Sequence, residues 1–537
     1  MEWKSTLKTR ATAAILGLVP CLILAVSGCP RPTARPPNTL VIGVLADIQN
    51  WNPYLTETKF SDDLLALVYP SLAVEMPDYH EHPPTFAPAL AERWESSENG
   101  LELTFHLRRD LIWSDGEPVT ADDVVFTWQA QISEDVGWYG AYTKDFIDSV
   151  EKIDEHTVKF SFSQMYPYRL MDANEGLILP AHAWKDIPFE DWHSTSWLPH
   201  VVGAGPFLPT AHVPQQDITL AANTNYRLGP PAKISRVVWR IVPDQLSLMT
   251  QLLAGEFDFV SSLAPEEAQR IETDPNLRLV DIPHRGYTHI CWNTTLPELA
   301  DPRVRRALGM AIDRQTIIET VYRSYAQPSI GPILSTMWAF DETLEPLPYD
   351  PQSASQLLAD AGWRDDDGDG TLEKDGRPLA LEFLTNAENK MRQDICMLVT
   401  RNLRAIGVSV TPRTVEWGTF LSRLRTGAFD GVVNRWVEPT QIDLEDVWHT
   451  TPEGVESSNY GQYSNSEVDR LIEEVTEIRD IDLQKELYGQ IQQLIVTDQP
   501  YTFLVEGRKL RAISARVHGS IQNDATPYFN LEAWELR

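Results

Sequence analysis

A chain of 537 residues is too long to fold around one hydrophobic core, so at least two lobes are expected. Its 42% hydrophobic and 23% charged content is ordinary for a globular protein and excludes a largely disordered chain. The formal net charge of −32 excludes nucleic acid as a natural partner and argues against a polybasic lipid-binding face, because so acidic a surface repels phosphate.

The chain opens with Lys4, Lys8 and Arg10, followed by an apolar run from Ala11 to Val26 that Pro20 interrupts. That is too short and broken for a membrane span, but it suits a secretory leader over residues 1–28. The run ends in Ala25-Val26-Ser27-Gly28-Cys29, which resembles a bacterial lipobox. The resemblance implies that Cys29 becomes the lipidated first residue and that the protein is extracytoplasmic, held to a bacterial membrane by this lipid alone. Four prolines between Pro30 and Pro37 favour extended backbone, so residues 29–38 read as a stiff tether. Beyond the leader only Cys291 and Cys396 remain, and the sequence leaves open whether they pair or stay as separate buried thiols.

Leu40–Leu45 reads as a buried first strand. Leu101, Leu103, Phe105 and Leu107 alternate with polar residues, as do Val158, Phe160 and Phe162, and both runs predict half-buried strands. Between them, Thr120 and Asp123 have capping-box spacing at a helix start. Gly203-Ala204-Gly205 lacks the third glycine of a dinucleotide loop and reads as a tight backbone approach. Val237–Val242 is another buried strand. Asp301-Pro302 opens a helix whose apolar face runs through Val304, Ala307, Leu308, Ala311 and Ile312. A helix ends at Gly362, and two amphipathic helices cover Val468–Ile478 and Leu487–Ile495. Pro500 stops the second, and Tyr501–Val505 predicts a strand. Strands alternating with helices on both sides of the middle give an α/β reading.

Catalytic motifs are absent from the sequence: no His-Glu-x-x-His, no Cys-x-x-Cys, no Gly-x-Ser-x-Gly and no phosphate-binding loop. No cofactor is expected, and an enzyme is disfavoured; a secreted glycoside-acting enzyme is the distant alternative. Asp365, Asp367 and Asp369 followed by Gly370 match the first half of a calcium loop, but the twelfth position is Gly376 rather than Glu. An acidic structural turn is the favoured reading, and calcium the weaker alternative.

Three blocks near the start, Ala89–Trp94, Phe105–Arg108 and Trp113–Val124, are followed in order by Gly203–Phe207, Leu253–Asp258, Asp301–Arg314, Tyr349–Pro351 with Leu357–Trp363, and Tyr463–Asp469. Together they resemble family 5 extracellular solute-binding proteins, the peptide and nickel receptors of ATP-binding cassette importers. The resemblance covers nearly all of the mature chain. It implies a two-lobed periplasmic-binding-protein clamp of type II-like architecture with an additional small domain. Lobe I would comprise residues 39–70, 204–286 and 506–537, the small domain 71–203, and lobe II 287–505. The Trp113–Val124 and Arg303–Arg314 blocks are expected to mark the fold rather than the pocket. The implied function is to bind short peptides between closing lobes and deliver them, as a monomer, to the permease subunits of an importer; oligosaccharide or nickel-metallophore ligands are the alternatives. Family peptide receptors hold the ligand's amino group on a carboxylate in a segment after a Trp. That segment here is Trp436–Asp443, which makes Asp443 the first candidate and Glu438 the second, with Trp436, Tyr460 and Trp51 as candidate cleft walls.

Overall fold

The computed structural model describes residues 37–452 and 454–537, of which Asn38–Arg537 forms one compact unit. The leader, Cys29 and nearly all of the tether lie outside the described residues. Among the described residues no helix is long and apolar enough to cross a membrane.

The frame is a mixed sheet. Its path runs Ser409–Val415, Ala380–Asn386, Gly431–Val437, Leu277–Trp292, Tyr501–Ser514, Phe259–Val260, Thr39–Val44, Arg236–Ile241, Asp217–Ala222 and Phe207–Val213. Thr39–Val44 is buried at every position, as expected of a strand flanked by parallel neighbours and covered on both faces. Two antiparallel strands of unusual length, Leu277–Trp292 and Tyr501–Ser514, join the two ends of this sheet. The sequence reading stops the second at Val505, because Glu506, Arg508, Lys509 and Arg511 break the apolar run. The backbone nevertheless continues to Ser514, since those polar side chains find partners: Glu506 accepts from Gln327 and Arg511 donates to Gln522. The register slips between Pro283 and Tyr287 and between Thr288 and His289, midway along the pair, where a bulge adds twist and bend.

A separate four-stranded antiparallel sheet, ordered Ala91–Ser96, Glu102–Leu107, Thr157–Phe162 and Ile147–Asp154, has its own core. Its cap is the Trp113–Val124 block. Trp113 is fully buried and donates its indole N–H to Asp123 (3.2 Å). The same carboxylate accepts from the Thr120 amide (2.8 Å) and the Ala181 amide (2.8 Å), so it starts the helix Ala121–Gln131 and ties it to a distant loop. The Arg303–Arg314 block is equally structural. Arg305 donates to the carbonyls of Leu299, Ala300, Asp498 and Gln499, and Arg314 to those of Phe503, Gly309 and Leu347. The helix expected there is shorter than its apolar face: it spans Pro302–Met310. Asp313 then caps a second helix, Arg314–Thr320, by accepting from the Thr316 amide (2.9 Å). Gly203 and Gly205 do mark a close approach: a Cβ on either would lie within 2.4 Å of the carbonyl of Val68 or Leu67. Cys291 and Cys396 are buried, unpaired thiols in different cores.

Asp123→Ala strips one buried acceptor from three donors. It is expected to cost about 2–4 kcal/mol, with Asp123→Asn recovering part of that, read from the denaturant midpoint of each variant.

Candidate functional site

Strand connectivity places a crevice before any side chain is considered. Ala380–Asn386 pairs in parallel with Ser409–Val415 on one side and Gly431–Val437 on the other. After Asn386 the chain turns to one side, through the helix Lys390–Arg404 into Ser409–Val415. After Val437 it leaves toward the other, through Ser466–Glu477 and Ile481–Asp498 into Tyr501–Ser514. Where adjacent parallel strands send their connections in opposite directions, their carboxyl ends gape, and ligands bind there.

Trp436 and Glu438 follow from that strand end. Four rings stack there in sequence: Tyr460 on Trp436 (5.9 Å between centroids), Trp436 on His289 (6.3 Å) and His289 on Tyr501 (4.2 Å, 3° between planes). His289 is fully buried and neither ring nitrogen has a hydrogen-bond partner among the described residues. Burial pushes its pKa down to about 3, so it is a neutral ring in the stack. The sequence carries no cue for His289 beyond its place in an apolar strand, and the reading missed it.

Glu438 lies beyond the last ring pair. Its amide donates to the Arg285 carbonyl (2.8 Å), and Arg285 Nη1 donates back to the Glu438 carbonyl (2.9 Å). Its carboxyl is pushed up to about 7, mainly by burial, with Asp443 adding repulsion and Arg285 offsetting part of it. The buried Tyr287 hydroxyl approaches this carboxyl short of a full hydrogen bond. Asp443 is open to solvent yet set deep among protein atoms, the condition of a cleft wall, and that enclosure raises its carboxyl too. It caps its own loop by accepting from the Glu445 amide (3.0 Å). Asp443 is therefore within electrostatic reach of Glu438, and Trp436, two residues before Glu438, stacks on Tyr460.

Residues from 71–203 close over this loop. Tyr168 donates to the Ile442 carbonyl (3.0 Å), the Trp338 amide donates to the Tyr79 carbonyl (3.1 Å), and Glu75 faces Thr440. The Asp172 carboxyl is pushed up to about 6, chiefly by burial, with Asp443 adding repulsion across the gap. Trp51 lies apart from these. It is buried in the core around Thr39–Val44, and its indole N–H meets His212 Nδ1 (3.3 Å), whose other nitrogen meets Asp47 (2.9 Å).

The acidic turn also carries more than its sequence suggested. Glu373 joins Asp365, Asp367 and Asp369, with carboxylate oxygens all within 4.8 Å of one another. The four could hold a hard cation through oxygen. The turn is also self-sufficient: Asp365 accepts from the amides of Gly368 and Gly370, Asp367 from that of Asp369, and Asp369 from that of Thr371.

Residues 85–451 match the model for the bacterial extracellular solute-binding proteins, family 5. The oligopeptide-binding protein AppA of Bacillus subtilis is 30% identical over 456 residues, covering 83% of each chain. Heme-binding protein A of Haemophilus influenzae is 27% identical over 458 residues, covering 81% of this chain and 82% of that one. The structure of the Bacillus subtilis AppA in complex with a nonapeptide superposes with a TM-score of 0.74 at 28% identity, covering 93% of this chain and 99% of that one.

A glutamate whose pKa is higher folded than unfolded takes up protons on folding, so its contribution to stability falls as pH rises from about 4.5 to 7. Between pH 5 and 8, unliganded Glu438→Gln is expected to gain about 1–3 kcal/mol on the parent, measured as the difference in unfolding free energy at the two pH values.

Proposed function

Because the chain belongs to family 5 of the bacterial extracellular solute-binding proteins, a two-lobed α/β clamp, we propose that it is a receptor for short peptides that hands them to an ATP-binding cassette importer. The observation that carries the peptide reading is that two raised carboxyls, Glu438 and Asp443, lie within electrostatic reach of one another beyond the carboxyl end of Gly431–Val437. Burial raises both carboxyls, and Asp443 raises Glu438 further, so an ammonium group placed between them relieves both penalties. A free peptide amino terminus is such a group. Asp443 is the primary contact and Glu438 the second, with Trp436 and Tyr460 as the apolar wall. The stacked rings spend most of their faces on one another, which leaves few for a sugar.

In this reading lobe I is residues 39–70, 204–286 and 506–537, lobe II is 287–505, and 71–203 is a small domain that covers the amine pocket through Tyr168 and Glu75. The protein works as a monomer. Cys29 carries the lipid, and the proline tether holds the clamp off the membrane within reach of the permease.

Thermal unfolding against di- to hexapeptides, cello-oligosaccharides and nickel tests the ligand class. Peptides are expected to raise the transition by mass action, by about 2.7 kcal/mol at a hundredfold excess over Kd. Amino-terminal acetylation of the peptide, or Asp443→Asn, is expected to weaken binding by about ten- to a hundredfold in calorimetric titration. A response to sugars or nickel alone overturns the peptide assignment.

A further inference from the structure

Glu438 is placed by one neighbour. Leu277–Trp292 and Gly431–Val437 pair antiparallel as far as Gly286 and Val437. A Cβ on Gly286 would lie 2.6 Å from the Trp436 carbonyl, so the two backbones approach closely there. One step on, Arg285 faces Glu438, and the Glu438 amide donates to the Arg285 carbonyl (2.8 Å). In a regular antiparallel pair the Arg285 amide would donate back to the Glu438 carbonyl. It donates to Asp524 Oδ2 instead (2.9 Å), and the Arg285 side chain takes its place, with Nη1 donating to the Glu438 carbonyl (2.9 Å). Both polar groups of the Glu438 backbone are therefore held by one residue. Pro439 follows and has no N–H, so this strand offers no next donor to continue the ladder.

Asp524 is itself fixed. Its side chain is 2% exposed, and Oδ1 meets His284 Nδ1 (2.9 Å) and Lys509 Nζ (2.8 Å). Arg285 Nε lies 3.3 Å from Oδ2, the oxygen that takes the Arg285 amide. All of this falls in the stretch between Pro283 and Tyr287 where pairing with Tyr501–Ser514 is interrupted. The guanidinium carbon lies 5.5 Å from the centroid of the Tyr79 ring, within reach of a cation–π contact. Arg285 thus faces Asp524, Glu438, Glu75, Tyr79 and Lys509. Glu438 faces Tyr287, Asp443 and Arg285, and of these Arg285 is the cation.

We propose that Arg285 and Asp524 are positioning residues for Glu438. Asp524 diverts the Arg285 amide and aims the guanidinium, and the guanidinium fixes the Glu438 backbone and sets a positive charge beside its carboxyl. The inference rests on the peptide reading for what Glu438 does, and extends it to two residues that need touch no ligand. Burial by itself favours the protonated carboxyl, which has no charge to offer an ammonium group. The Arg285 charge opposes that, so it governs the pH above which Glu438 can serve as a counterion.

One test needs no ligand. In the empty protein, the stability lost through Glu438 as pH rises is read as the difference between a chain and its Glu438→Gln variant. In an Arg285→Gln background that loss is expected to move up by about one pH unit, because a carboxyl without its neighbouring cation ionises later. Arg285→Lys, which keeps the charge, is expected to stay nearer the parent. A uniform loss of stability at every pH, with this difference unmoved, is the signature of a merely structural arginine and overturns the proposal. The second test is a double-mutant cycle by calorimetric titration with trialanine at pH 7. Arg285→Gln and Asp524→Asn are each expected to weaken binding by about three- to tenfold. In the Glu438→Gln background, where Asp443 still holds the amine, both are expected to have no effect. Equal losses with and without Glu438 overturn the positioning role and leave the peptide reading intact. If trialanine and longer peptides fail to bind the parent, the peptide reading fails, and the pH profile still decides whether Arg285 governs Glu438.

Discussion

The structure depends on one pair of strands. Leu277–Trp292 and Tyr501–Ser514 are antiparallel partners over most of their length, and the two ends of the large sheet hang from opposite ends of that pair. Backbone pairing continues on both sides of two neighbouring register slips, so the connection is continuous with its ladder interrupted in one place. Around that place cluster the polar groups that an apolar strand would not tolerate: His284, Arg285, Glu506, Lys509 and Arg511. Each is bonded. Asp524, from the carboxy-terminal segment, gathers His284, Arg285 and Lys509 around one carboxylate, and these partners hold its pKa far below the usual carboxylate range. Polar side chains with fixed partners therefore mark the place where the strand pair departs from a regular register.

Much of this was legible in the sequence, and the residues show why. Alternation at Leu103, Phe105 and Leu107, or at Val158, Phe160 and Phe162, is a local property with a local outcome, and both strands form where the pattern puts them. Asp123 and Thr120 cap a helix for the same reason. What the sequence hid was non-local. Tyr501–Val505 reads as a short strand because the residues after it are charged; their partners, such as Gln327 and Gln522, lie far along the chain or on another segment, and only the fold reveals that these charges are satisfied. The Pro302–Met310 helix stops early because Asp313 offers a competing cap, a choice that the apolar spacing does not record.

The site follows the same division. Trp436, Glu438, Asp443 and Tyr460 lie within one stretch of sequence, and the structure keeps them together. His289 comes from another strand and carries no signal of its own, so connectivity alone brings it in. Trp51 shows the converse, since a tryptophan in a loop beside a strand is as easily claimed by a core.

Family membership and pocket chemistry constrain different things. The blocks through which the sequence resembles the family, Trp113–Val124 and Arg303–Arg314, are spent on caps and carbonyl contacts, and they hold the frame whatever the ligand is. Relatives on this frame are named for ligands as unlike as an oligopeptide and a heme, so the frame cannot choose between them. In the proposed reading the choice falls to the carboxyls of Glu438 and Asp443 at the crevice, whose charged forms enclosure disfavours. A buried charge without a partner costs stability in the empty protein. In that reading a ligand that brings the opposite charge offsets the cost, and the site favours it over a neutral molecule of the same size.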